Sequence, residues 1–396
     1  MKLKTYEAWR AEGVWFGEEV NLSRIAPDAK IFPGCRISGE RTAVGPGCVL
    51  GAEAPATLDD CLLGRNVHLA GGRFSGAVFM DGASMGSGAH VRPGTILEED
   101  ASGAHAVGLK QTILLPFVTL GSLVNFCDVL MAGGTGRKDH GEVGSSYVHF
   151  NFTPHQDKAT ASLIGDVPRG TFLDCRPVFL GGQGGLVGPA RIAFGCVVAA
   201  GGVCRRDVLE EDVLLVPESP RPGIRPYALG AYRRIGRTVR NNLRYIGNVF
   251  ALRAWYRHVR RRTMRRDAFD EYVVEGGLRN LDAILRERLD RLGALAGKME
   301  RSVSLLENAQ RPPEEEISVQ RGFREAWPGM SMALEETRGE GDEALREDFL
   351  GRLDVPGGDV DYVAFVKGMD ESTKAAGRAW LGGIVDATLA VGMRDA

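Results

Sequence analysis

The sequence predicts a mainly β protein, a parallel β-helix of hexapeptide repeats followed by an α-helical C-terminal region. Three observations predict it. Large apolar residues recur every six positions in three separate stretches, each is followed four residues later by a small one, and the repeats stop at a proline-rich segment beyond which the periodicity is helical. In "IAPDAKIFPGCRIS" the large positions are Ile25, Ile31 and Ile37, with Ala29 and Cys35 as small partners. In "FMDGASMGSGAHVRPGTILEEDAS" they are Phe79, Met85, Val91 and Leu97, with Ala83, Ala89, Thr95 and Ala101. "IAFGCVVAAGGV" repeats the rule with Ile192 and Val198, followed by Cys196 and Gly202. One large and one small inward side chain per six residues suit a short strand ending in a tight corner, where Gly, Asn, Asp and Pro tolerate the backbone angles. Three such sides close a coil of about eighteen residues, and coils stack because none can bury its apolar face alone. A sandwich of ordinary strands is the alternative, but its strands alternate with period two.

Taken in order, residues 1–23 form a lead-in helix, and 24–222 form the β-helix, interrupted by a loop over 133–160, "GGTGRKDHGEVGSSYVHFNFTPHQDKAT". An insertion in a repeat protein leaves the coil on one face, often the binding face. Pro217, Pro220, Pro222 and Pro226 then mark a linker. Residues 223–310 are an arginine-rich helical region, with twelve arginines between Arg233 and Arg266 and with Tyr245, Phe250, Trp255 and Tyr256 among them. Such a helix either pairs its charges with Asp267, Asp270, Glu271 and Glu275 while packing over the β-helix, or meets an anionic lipid surface. Further on, Leu278, Leu285, Leu292 and Met299 stand seven apart, with Leu281 and Leu295 on the same stripe. Arg288 and Ser302 interrupt that seam, so a helical hairpin and a short coiled coil fit equally. "RPPEEE" breaks the chain at 311, and 311–396 read as weakly amphipathic helices joined by Gly-rich and acidic segments, a helical and flexible tail.

Composition bounds the function classes. Over 396 residues, 44% hydrophobic and 25% charged content is that of a soluble protein with a sizeable core, and no apolar run is long enough to span a bilayer. The N-terminus lacks the apolar stretch of a secretory signal, so a cytoplasmic location is expected. The seven cysteines are scattered without a CxxC or Cys/His cluster, which indicates neither a disulfide framework nor a zinc site. A net charge of −2 argues against nucleic acid as a partner.

With the hexads in place, "VRPGTILEEDASGAHAVGLKQTILLPFVTLGSLVNFCDVLMAGG" resembles the acetyltransferase half of the bacterial bifunctional enzyme family that makes UDP-N-acetylglucosamine. The resemblance spans roughly residues 79–206, and its strongest points are "RPG" at 92–94, "GSLVNFCD" against a family "GHLTYLGD", and "NFTPHQDKATASLIGD" against a family "NYDG…K…IGD". It implies a left-handed β-helix, a homotrimer with sites between subunits, acetyl-CoA or another acyl-CoA as co-substrate, and a sugar phosphate or sugar nucleotide as partner. The glycine-rich nucleotide-holding motif of the family's other half is not found, so uridylyl transfer is not expected.

Residue by residue, the resemblance assigns Arg92, Lys110 and Lys158 to the sugar phosphate and Asn151 to the sugar, with Phe152 where the family has tyrosine. Independently of it, converging Arg and Lys side chains make an anion pocket, Arg being suited to bidentate phosphate contact. Two positions depart from the family. Ser122 stands where its histidine base stands, and Asn125 replaces a tyrosine of the same rung. Acetyl transfer to an amine needs a proton acceptor, which serine alone is not. The 133–160 segment brings His140, His149 and His155 within a short stretch alongside Asp139, Glu142 and Asp157; either one of these histidines supplies the base, His155 first among them, or they satisfy a structured loop or bind a ligand's phosphate. A metal held by His140, Asp139 and His149 ranks lower, since their spacing matches no familiar ligand pattern. The expected activity is acyl transfer to a phosphorylated or nucleotide-linked amino sugar. The alternative is a non-catalytic sugar-nucleotide sensor or assembly scaffold whose C-terminal helices recruit a protein partner.

Overall fold

A computed structural model describes residues 6–224, 226–337, 339–355 and 360–392; the extreme ends of the lead-in and tail segments lie outside the described residues. The chain is a parallel β-helix of about 11 turns followed by a helical region. Its coils present three faces. The first is an unbroken ladder of two-residue strands from Lys30–Ile31 to Leu214–Leu215. A second runs from Trp15–Phe16 through Arg36–Ser38 and Ala89–Val91, and a third from Ala43–Val44 through Leu62–Leu63, Val78–Phe79 and Ile96–Leu97. Two seven-residue strands, Gly108–Leu114 and Asn125–Met131, bend over the corner between the second and third faces and join them into one sheet. Parallel pairing aligns Val78 with Ile96 and Ser84 with Ser102, one coil of eighteen residues apart.

The inward positions are those the hexads mark. Ile31, Ile37, Phe79, Met85, Val91, Leu97, Ile192 and Val198 are buried, and so are their small partners Ala29, Cys35, Ala83, Ala89, Thr95, Ala101 and Cys196. The 133–160 stretch is more regular than a single loop. Gly134–Gly136 and Asp139–His140 form an antiparallel hairpin, Glu142–Val143 and Val148–Phe150 rejoin the coil, and the chain leaves it again at 151–161. Likewise the lead-in helix is short: α1 spans Tyr6–Ala11, and Trp15–Phe16 already pairs with Arg36–Ile37 as the first strand.

A four-residue helix, α2 (Val167–Gly170), interrupts the late coils. The C-terminal region contains α3 (Ile235–Trp255), a π-helical segment Tyr256–Arg260, α4 (Arg261–Thr263), α5 (Ala268–Glu307), α6 (Glu314–Glu336), α7 (Glu343–Gly351), α8 (Tyr362–Gly368) and α9 (Glu371–Val391). No helix among the described residues is long and apolar enough to cross a membrane. α5 packs against α3 and α6 and lies along the third face of the β-helix. That face shows why it is covered. Its strands bury outward as well as inward positions, Leu62 with Leu63, Val78 with Phe79 and Ile96 with Leu97, whereas first-face strands such as Lys30–Ile31 and His68–Leu69 alternate exposed and buried. One outward apolar side chain in each of three successive coils must be taken from water, and α5 covers Leu62 and Val78.

Close approach depends on two adjacent glycines. A Cβ on Gly276 would strike Leu62, and one on Gly277 would stand 2.3 Å from the Tyr256 ring. Asn280 donates to the Gly76 and Thr95 carbonyls at 3.1 and 3.2 Å, tying the helix to the coil corners. Several arginines of the 233–266 stretch are paired with carboxylates. Arg237 pairs with Asp207, Arg253 with Asp282, Arg261 with Glu275, and Arg266 with Asp81 and Asp270. Arg260 is fully buried between Glu98 at 2.9 Å and Glu99 at 2.7 Å, with Tyr256 Oη donating to Glu98 at 2.8 Å and the Tyr362 ring 3.8 Å below the guanidinium. One cation thus faces two carboxylates. Burial first, then the charge of Glu99, pushes the Glu98 carboxyl up against the pull of Arg260.

Two tests follow from this docking. Gly277→Ala should destabilise by about 1–3 kcal/mol, because overpacking against an anchored ring exceeds the gain of about 1 kcal/mol in helix propensity. Gly297→Ala in the same helix meets open space and should stabilise; equal signs in denaturant unfolding would contradict the docking. Arg260→Met should cost about 3–5 kcal/mol by stranding buried carboxylates. Glu98→Gln should be neutral or stabilising, because a raised carboxyl contributes stability below its unfolded pKa that is lost as pH rises through the folded one. The corresponding downward slope of stability with pH should flatten in Glu98→Gln, and an unchanged slope would count against the assignment.

Candidate functional site

The two long strands bend because each carries one residue in the left-handed region at the corner, Gln111 at φ 46° and Asp128 at φ 61°. Lys110 and Cys127 are in register just before them, and Arg92 occupies the matching corner one coil earlier. Non-glycine residues hold such angles only where surrounding contacts fix them. Here the contact is Arg288 of α5, almost wholly buried. Its Nη2 donates to Gln111 Oε1 and Asp128 Oδ1, both at 3.0 Å, and its Nη1 to the Lys158 carbonyl at 3.1 Å. Asp128 Oδ2 accepts from Asn151 Nδ2 at 3.0 Å, and Arg92 Nη2 donates to Cys127 Sγ at 3.1 Å.

Hydrogen bonds therefore tie Asn151 and the Lys158 carbonyl to a residue pair, Asp128 and Arg288, that the sequence reading did not assign to the site, with Arg92 and Lys110 at the adjoining coil positions. Burial pushes the Glu287 carboxyl up, but hydrogen bonds from Arg291 and the charges of Arg291, Arg288 and Lys110 outweigh it and hold it low. Burial likewise raises the Cys127 thiol despite the nearby Arg92.

Ser122 lies at the opposite edge of the second face, and its partner is another unassigned residue. His105, one coil below, places Nδ1 2.8 Å from Ser122 Oγ. The backbone of the same rung is fixed by Leu123 N–H donating to the His105 carbonyl at 3.1 Å and Ser146 N–H to the Ser122 carbonyl at 2.8 Å. Both side chains face solvent. Asn125 sits between the two edges, exposed, with its Oδ1 3.8 Å from Cys127 Sγ. A signal for His105 was present in the sequence: in a solenoid, the residue about one coil before a site residue is its neighbour.

The three histidines of the 133–160 segment do not converge. His149 is in register with Leu186, has its ring centroid 6.5 Å from that of Phe126, and points into the coil. Its Nδ1 donates to the Cys127 carbonyl at 2.6 Å, and its Nε2 accepts from Ser162 Oγ at 2.7 Å. With both nitrogens occupied, burial pushes its pKa down to about 4, and it remains a neutral support behind the corner. His140 belongs to the hairpin, with Nδ1 3.0 Å from the Arg137 carbonyl and Nε2 3.7 Å from Glu142. His155 accepts from the Gly230 N–H at 3.0 Å, lies 4.4 Å from the Tyr232 ring and 5.8 Å from Tyr227, and borders a cavity of about 650 Å³ that also contacts Asp157 and Leu295. Among the described residues, no three His, Cys, Asp or Glu side chains are grouped to hold a metal ion.

In chemical terms the second face offers a basic corner for an oxyanion at one edge and a serine–histidine pair at the other. No protein-family model matches the chain. Curated proteins similar to it include the bifunctional protein GlmU of Nitratidesulfovibrio vulgaris, from strains DP4 and Hildenborough, each 26% identical over 199 residues. The match covers 48% of this chain and 39% of the relatives' length. A parallel β-helix with weak similarity to part of that protein is what a hexapeptide-repeat, acetyltransferase-like domain would show.

Proposed function

We propose that this chain transfers an acyl group from acyl-CoA to a phosphorylated or nucleotide-linked amino sugar. The observation that carries the reading is the serine–histidine contact, Ser122 Oγ to His105 Nδ1 at 2.8 Å, on the same face as the Arg92–Lys110 corner. Arg92, Lys110 and Lys158 hold the phosphate and Asn151 orients the sugar. Acyl-CoA lies along the open second face. The amine attacks the thioester carbonyl; its proton passes to Ser122 Oγ as the serine's own proton moves to His105 Nδ1. The C–N bond forms, the C–S bond breaks, and the imidazolium returns its proton to the departing thiolate. His105 thus supplies the base that Ser122 lacks. His149 and His155 act as supports of the corner and the 151–161 loop, and His140 as part of its hairpin. The third face is covered by the chain's own helices, so a homotrimer would meet through the first and second faces.

A second reading, a sugar-nucleotide-binding scaffold, draws support from Arg288, which satisfies Asp128 within the fold without any ligand. Thiol release from acetyl-CoA in the presence of glucosamine 1-phosphate separates the two. The transferase reading expects turnover, a KM for the sugar phosphate raised about tenfold or more in Lys110→Ala, and a kcat lowered by about 10²–10⁴ in His105→Gln at unchanged KM. Binding without turnover would favour the scaffold, and a His105→Gln enzyme with undiminished kcat would overturn the proton relay.

A further inference from the structure

A second cluster of basic residues lies away from the corner, where the late coils meet α3 and α9. Arg191, on the strand Arg191–Ile192, and Arg244 of α3 line one cavity of about 240 Å³, floored by Leu163, Ile192 and Val385. Most arginines of this region are paired, but these two are not. Among the described residues neither guanidinium has an ion-pair partner, and Arg244 Nε is shut from solvent with no acceptor. The carboxylates in reach are engaged elsewhere. Arg169 takes Asp166 at 2.7 and 2.9 Å and Glu211 at 2.5 Å. Asp207 takes Arg237 and Asn241, and it accepts the Arg191 backbone N–H rather than its side chain. Asp386 stays exposed at the rim, unpaired. Burial, and then the charge of Arg244, pushes the Arg191 guanidinium down against the weaker opposing pull of Asp207 and Asp166.

Two unpaired guanidinium groups over an apolar floor are costly unless an anion joins them, and their fork geometry fits a phosphate group. The cavity far exceeds the share of liquid volume of one water, about 30 Å³, so it admits a phosphate together with a small organic remainder. We propose that Arg191 and Arg244 form a binding site for a small, soluble phosphate ester, separate from the Arg92–Lys110 corner.

The test uses the full chain carrying Lys110→Ala, so that the first corner does not dominate. The unfolding temperature is measured with inorganic phosphate and glycerol 3-phosphate against chloride at matched ionic strength. A phosphate-dependent rise is expected, and it should vanish in Arg191→Gln and in Arg244→Gln. Without phosphate each of these variants should unfold at the same or a higher temperature, because each removes one of two like charges; an arginine with a structural role would instead lower it. No rise in the Lys110→Ala chain, or a rise that survives both substitutions, would overturn the site. Sedimentation with phosphatidic acid vesicles that glycerol 3-phosphate does not compete away would make the source a lipid headgroup and overturn the soluble ester.

Discussion

A guanidinium withdrawn from water has to find acceptors in fixed places, and two such groups join the halves of this protein. Arg260 and Arg288 both arise from the helical region, and both end among residues of the β-helix, Glu98 and Glu99 in one case, Gln111 and Asp128 in the other. Because stranding any of these charges costs several kcal/mol, the two ion clusters admit one seating of α5 on the third face. Apolar contact drives that docking without choosing a position. The charges and the glycine pair at 276–277 choose it.

This seating reaches the candidate site directly. Arg288 holds the two left-handed residues of the corner, and through Asp128 and the Lys158 carbonyl it also holds Asn151 and the 151–161 loop. The side chains of this corner therefore stand on a frame that the β-helix alone lacks. α5 thus does two things: it buries part of the third face and completes a corner. His149 serves the same frame from inside the coil, its two hydrogen bonds linking the backbone at Cys127 to Ser162.

Much of the β-helix was legible because hexad spacing is a direct projection of strand and corner geometry, and Ile31, Phe79, Leu97 and Val198 point inward as their spacing requires. The chemistry was less legible, for three physical reasons. His105 is Ser122's neighbour across one coil, a relation that reading along the chain does not display. Arg288 looked like a defect in a leucine stripe, yet it is the residue for which the stripe makes room, and Ser302, the other interruption, accepts the Tyr232 N–H at 2.9 Å. His149 was grouped with loop histidines because the 133–160 stretch lacks hexads, although two of its strands return to the coil. Proximity in sequence put three histidines together, while the fold gives them three environments, a core, a hairpin and a cavity wall.

The central claim is that Arg288 couples the helical region to the corner at Gln111 and Asp128. Hydrogen exchange of the whole chain, compared between the native protein and Arg288→Met, tests it most directly. The account predicts faster exchange in α5, in the 151–161 loop and in the strands Gly108–Leu114 and Asn125–Met131, with first-face strands such as Ser84–Met85 unchanged. Acceleration confined to α5, with the loop and the corner strands as protected as before, would contradict it.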